Sequence, residues 1–162
     1  MHEYSKVSVD YLESAPQKLV FEMDLPVTPA ALFSIFERSD TWQWAGIEDV
    51  IWDREPPFNA ETKRTIVQPS GNRLDEQFLV WEQDYRMVFR IDRGDVDMLS
   101  ALIEDYTVVP VGENGCRFTW TIGYELRGWR QVLAPLLSII VRLMFKNMVK
   151  DFQAMVEQQR ST

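Results

Sequence analysis

The chain has 162 residues, 46% of them hydrophobic, and a formal net charge of −8. That length suits one domain with a sizeable core. The acidic balance argues against a nucleic-acid partner, since phosphate backbones repel it and no run of Arg and Lys overrides the total. A single cysteine, Cys116, excludes an internal disulfide framework and fits a reducing cytoplasm, and the N-terminus lacks the basic start and apolar stretch of a secretory signal.

Residues 1–17 alternate weakly and end at Pro16-Gln17, so they read as a loosely held arm ahead of one domain over 18–162. Leu19, Phe21, Met23 and Leu25 then alternate with Val20, Glu22 and Asp24, the period of a half-buried strand. Thr28-Pro29 marks a helix start, with a hydroxyl at the N-cap and a proline at N1. That helix turns Leu32, Phe33, Ile35 and Phe36 towards a core and frays at Ser39-Asp40. Trp42 and Trp44 follow, read as closing one end of a sheet, and Gly46 supplies a joint.

From Ile47 to Arg127 the pattern is antiparallel strands separated by turns: 47–54, 61–68, 73–82, 85–93, 98–109 and 116–126. Leu74, Glu76, Phe78 and Val80 share one face, as do Met87, Phe89 and Ile91, then Leu102, Glu104, Tyr106 and Val108, then Phe118, Trp120, Ile122 and Tyr124. The opposite faces carry Arg73, Asp75 and Gln77, Arg86, Arg90 and Asp92, and Arg117, Thr119 and Thr121. One greasy face and one wet face describe a single antiparallel sheet covered on one side. The strands around Trp52 and Arg64 do not alternate cleanly, and their facing stays open.

The cover falls to residues 129–159, the one segment long and apolar enough for a core helix. At 100° per residue, Leu133, Leu137, Val141, Met144, Met148, Phe152 and Met155 form an inward stripe opposite Arg142, Lys146, Gln153 and Glu157. Ile139 and Leu143 add a second patch that needs its own cover, from the early helix or a partner subunit. Val132 to Phe145 is also the membrane candidate, but it is short for a crossing and contains Pro135 and Arg142. A buried helix is therefore favoured, with no integral membrane segment; peripheral membrane contact and a monomer or homodimer stay open.

The order strand, helix, six strands, long helix resembles the START-like or polyketide cyclase/dehydrase superfamily. The specific echoes are Asp40-Thr41-Trp42-Gln43-Trp44-Ala45-Gly46, then Glu76 to Glu82 running into Arg86 to Arg90, and a long helix after Gly115 to Trp120. The resemblance implies an α+β helix-grip fold, with a curved seven-stranded antiparallel sheet wrapped around the C-terminal helix and a short helix after the first strand. It further implies a cavity between sheet and helix for an apolar or amphipathic small molecule. No single motif carries a catalytic residue over.

The chemistry available is narrow. The one histidine, His2, lies in the arm, which removes His-based nucleophile pairs and almost any zinc site, so no metal is expected. No glycine-rich phosphate loop exists and no cofactor is expected. Cys116 reads as a small packing residue. Glu76 and Glu104 stand among inward apolar residues, where an ionised carboxylate is costly unless paired. A buried salt bridge, with Arg64 as the candidate partner, or a place at the rim is the plainer reading; an acid with a raised pKa acting on a bound polar head is the sharper one. Asp151 is a third candidate, read as a solvated rim residue.

Tyr106, Trp120 and Tyr124 could line a cavity and fix a ligand with hydroxyl or indole N–H groups, or equally be satisfied core. Phe78, Met87 and Phe89 on the sheet and Leu137, Met144, Met148 and Phe152 on the helix complete the candidate wall. Three readings follow, in order: a cytoplasmic binder or carrier of a lipid, isoprenoid, quinone or polyketide; a cyclase or dehydratase using the cavity carboxylates; and a protein or membrane interaction module.

Overall fold

A computed structural model describes residues 1–160, so the last two residues of the expected 18–162 domain lie outside the described residues. Seven strands form one antiparallel sheet in the order β2-β8-β7-β6-β5-β4-β3. They are β2 (Gln17–Leu25), β3 (Asp49–Trp52), β4 (Lys63–Val67), β5 (Arg73–Glu82), β6 (Arg86–Gly94), β7 (Leu99–Val111) and β8 (Gly115–Leu126). The two-residue β1 (His2–Glu3) pairs with β6 and makes an eighth strand. Register shifts at Asp75/Glu76, Phe78/Val80 and Leu99/Ala101 interrupt the central ladders. Such bulges bend a strand and help the sheet curl around what it grips.

Helix α2 (Pro29–Glu37) begins as its sequence dictates. Thr28 is extended, its hydroxyl accepts the Ala31 N–H at 3.3 Å, and Pro29 occupies the first turn, where a missing N–H costs nothing. Phe33 and Phe36 plug the sheet from this helix. Phe36 lies edge-on to Tyr106 at 5.3 Å and stacks on Phe152 at 5.9 Å. Trp42 and Trp44 stack behind it, 5.7 Å apart, and Gly46 turns the chain away with a left-handed φ of 66° that suits a residue without a Cβ.

The bulge at Leu79 has a direct consequence. Val80, expected on the inner face, pairs with Val88 on the outer one, and Trp81 takes the inward place beside Phe33 and Phe78. One extra residue reverses every side chain beyond it. The ambiguous strands also settle: Val50, Arg64 and Ile66 are buried inside the sheet, with Trp52 partly buried against the same core.

Residues 1–17 are not loosely held. Tyr4 is 4% exposed and donates its hydroxyl to the Val96 carbonyl. Helix α1 (Tyr11–Ser14) lies on the outer face, where Leu12 packs with Val88 and Ile103 in a second small core. A Cβ on Gly123 would come within 3.1 Å of the Ala15 Cβ, so a glycine there lets the arm approach the sheet. The rest of the outer face is wet as expected, laced by pairs such as Arg86–Asp105 at 2.7 Å and Arg117–Asp24 at 2.7 Å.

Helix α3 (Ala134–Arg160) follows a 3₁₀ turn over Gly128–Leu133 and runs along the open side of the sheet. Its inward line is Phe145, Phe152 and Val156, flanked by half-buried Val141, Met148 and Val149. This line is rotated away from the expected stripe, of which Leu133 and Met144 are exposed. The expectation of a buried apolar stretch fails more broadly. The helical segment Gly128–Gln159 is long and apolar enough to cross a membrane and contains an 18-residue window of mean hydropathy 1.7, yet only 11% of that window is buried.

Candidate functional site

Between sheet and helix lies a cavity of about 420 Å³. Ile66, Leu74, Phe89, Ile91 and Leu102 floor it from β4 to β7, and Leu137, Ile140, Val141, Met144, Phe145 and Met148 roof it from α3. Tyr4, Trp42, Ile47, Val96, Met98 and Leu99 close its ends. The roof residues Ile140 and Met144 and the rim residue Met98 are more than two-fifths exposed while lining the cavity, so they mark its mouth. A concavity of about 590 Å³ also lies around Lys63, Thr65, Asp75 and Arg93. Within it Asp75 pairs with Arg93 and accepts from the Thr65 hydroxyl.

Nine of the twelve candidate residues line the inner cavity: Glu76, Phe89, Glu104, Tyr106, Trp120, Tyr124, Leu137, Met144 and Met148. Phe78, Met87 and Phe152 do not; each is fully enclosed in the core, where aromatic and aliphatic neighbours fill the space between sheet and helices. Asp151 is exposed on α3, away from the cavity. Trp42, Arg64 and Tyr4 were not among the cavity candidates, and all three line it.

The polar groups sit together because neighbouring strands bring them into register. Arg64 on β4 pairs across to Glu76 on β5, and its Nε–H donates to the Glu76 carboxylate. The guanidinium lies 4.2 Å from the Trp42 ring centre and 4.7 Å from that of Phe89, faces that favour a cation. Its Nη1 is buried and lacks a hydrogen-bond partner in the protein, as do Trp42 Nε1 and Tyr124 Oη. Burial pushes the Glu76 carboxyl up against the pull of Arg64.

Glu104 on β7 stands next to this pair. The Trp120 indole N–H donates to its Oε2 at 2.8 Å. Glu104 keeps some exposed surface, and as a lining residue it turns towards the cavity rather than the outer face. Burial, then the nearby Glu76 charge, pushes its pKa up to about 7. Tyr106 is raised well above its ordinary value by burial and by Glu104, so it stays a hydroxyl donor at neutral pH. The arrangement can offer a guest hydrogen bonds from Arg64, Trp42 and Tyr124 and can take or give a proton at Glu104.

Other chemistry is less well placed. Burial and Asp24 push the Cys116 thiol up to about 11, which leaves it inert as a nucleophile. Among the described residues no cluster of three or more His, Cys, Asp or Glu could hold a metal ion.

One antiparallel sheet closed over an apolar cavity by a long C-terminal helix defines the class as a helix-grip domain. The fold superposes on a START superfamily protein from Mycobacterium smegmatis with a TM-score of 0.72, at 12% identity, over 88% of this chain and 98% of that one. A protein from Thermus thermophilus gives 0.66 at 18% identity, over 88% and 99%. The chain belongs to the polyketide cyclase / dehydrase and lipid transport family, whose profile matches residues 16–157. It is 33% identical to an uncharacterized protein of Mycobacterium tuberculosis over 154 residues, covering 91% of this chain and 92% of the relative. An uncharacterized protein of Mycobacterium bovis matches to the same extent.

Proposed function

We propose that this protein binds an apolar small molecule bearing one or more polar groups, a lipid, isoprenoid, quinone or polyketide in chemical class, as a cytoplasmic carrier. The observation that carries this reading is the 420 Å³ apolar cavity into which three residues with unsatisfied buried donors are built, Arg64, Trp42 and Tyr124. Unpaired buried polar atoms each cost roughly 1–3 kcal/mol, and a guest with acceptor groups removes that cost on binding. The volume lies in the lower half of the range for small-molecule sites. The family's description, cyclase/dehydrase and lipid transport, supports the same ligand class.

Displacement of an apolar fluorescent probe tests this. Ile91→Phe and Leu102→Phe, which grow into the cavity floor, should abolish probe binding while leaving a cooperative thermal transition. Undiminished binding in both plugged variants places the probe elsewhere and removes the support.

A second reading is favoured by one specific observation, the Glu104 pKa of about 7. A carboxylic acid poised near working pH suits proton transfer at a carbon next to a carbonyl, the step a cyclase or dehydratase needs. Glu104→Gln should then lower turnover of a polyketide-like substrate at least a hundredfold, the scale of lost acid–base catalysis, while binding stays nearly intact. Equal turnover in both proteins rules this reading out.

A further inference from the structure

Trp129 and Val132 of the 3₁₀ turn and Leu136, Ile139, Ile140 and Leu143 of α3 form a run of side chains between 56% and 82% exposed. Helix α2, one expected cover for this run, packs against β7 and leaves it open. The segment has a second peculiarity. Between Leu126 and Lys150 there are five cationic residues and no acidic one, in a chain of net charge −8.

From these observations we infer that the outer face of residues 128–150 docks on the surface of an anionic lipid membrane, with α3 lying in the interface plane. At ~100° per residue, Lys146 and Lys150 project from the same outward side as Leu136 and Leu143, one to two turns further on, and Arg142 lies on the flank. Apolar residues with a tryptophan at one end and lysines beside them are what an interfacial helix presents to acyl chains and headgroups. Arg142, Lys146 and Lys150 have no ion-pair partner among the described residues, whereas Arg127 and Arg130 face Asp97 at 3.3 and 3.6 Å. The remainder of the chain is strongly acidic, so an anionic surface attracts this face and repels the rest.

A second copy fits less well, because a two-fold contact would set these cations against themselves. A bilayer crossing fits less well too, since Phe145, Phe152 and Val156 anchor the helix in the sheet. Ile140 and Met144 also border the mouth of the cavity, which docking would bring to the lipid.

Flotation of the full chain with phosphatidylcholine vesicles, with and without phosphatidylserine, tests the inference. Wild type should float with the anionic vesicles, and added salt should weaken the binding. The variant Arg142→Gln/Lys146→Gln/Lys150→Gln should bind about a hundredfold more weakly. Leu136→Ser/Ile139→Ser/Leu143→Ser should bind neither vesicle. All six sites are exposed, so both variants should keep the wild-type thermal transition and the wild-type affinity for the cavity probe, which separates this inference from the proposed cavity function. Equal binding to both vesicle types, no binding at all, or a dimer by light scattering that the serine variant dissociates would each overturn it.

Discussion

Arg64 is the one buried cation among the described residues. Its cation is held between Glu76 and the faces of Trp42 and Phe89, with only 3% of its surface exposed. A buried ion pair contributes little when both partners are present, but removing one leaves an uncompensated charge. Arg64→Met should therefore cost about 3–5 kcal/mol in urea unfolding, and Arg64→Met/Glu76→Leu should recover most of that loss. A double variant as unstable as the single one contradicts this account of the pair.

Glu104 adds a pH dependence whose sign is fixed. Its folded pKa of about 7 lies above its ordinary value of 4.5, so the folded state holds the proton more tightly. The associated stability is fully present below about pH 4.5, falls as pH rises, and is gone once pH passes about 7. Glu104→Gln has no such slope. Relative to wild type it should gain up to roughly 3 kcal/mol between pH 4.5 and 8, read from denaturant midpoints. Parallel profiles for the two proteins would mean that the carboxylate is solvated.

At the scale of elements, the N-terminal arm joins the sheet through β1 and packs Leu12 on its outer face. Leu12→Ala opens the small core it forms with Val88 and Ile103 and should cost about 2–3 kcal/mol, whereas exposed Glu13→Ala should be neutral. Equal stability of the two variants would return the arm to the loosely held state its sequence suggests. The arm was illegible because Tyr4 and Leu12 are single anchors in a stretch that alternates only weakly.

The strand that turns Val80 outward was illegible for another reason. Period-two counting cannot see a one-residue bulge. The α3 stripe was misread because the segment before Phe145 is apolar nearly all round, so its pattern does not say which side is buried. By contrast, the cap at Thr28, the strand alternation of 73–78 and 86–93, and the inward Glu76 and Glu104 were readable, since one-sided burial imposes period two directly. Trp42 was readable as structural but not as a cavity wall. Its role depends on Arg64 crossing to it from a strand without clear alternation.

For the whole molecule, a sheet and a long helix could have met in a fully packed core, and over Phe36, Phe118 and Phe152 they do. Towards Leu102 and Tyr124 the helix instead stands off, and the space is walled by Met, Leu and Ile with polar atoms at its edges. Methionines give such a wall latitude to fit irregular shapes. Interiors are normally close-packed, so an open volume of this size beside unpartnered donors is the feature on which the proposed binding function rests.

Native mass spectrometry of gently purified protein tests that claim most directly. Wild type should carry a small-molecule mass increment, or take one up on incubation with an organic extract of the expression host, and Leu102→Phe should do neither. A wild-type protein that flies at its bare mass before and after that incubation would contradict it.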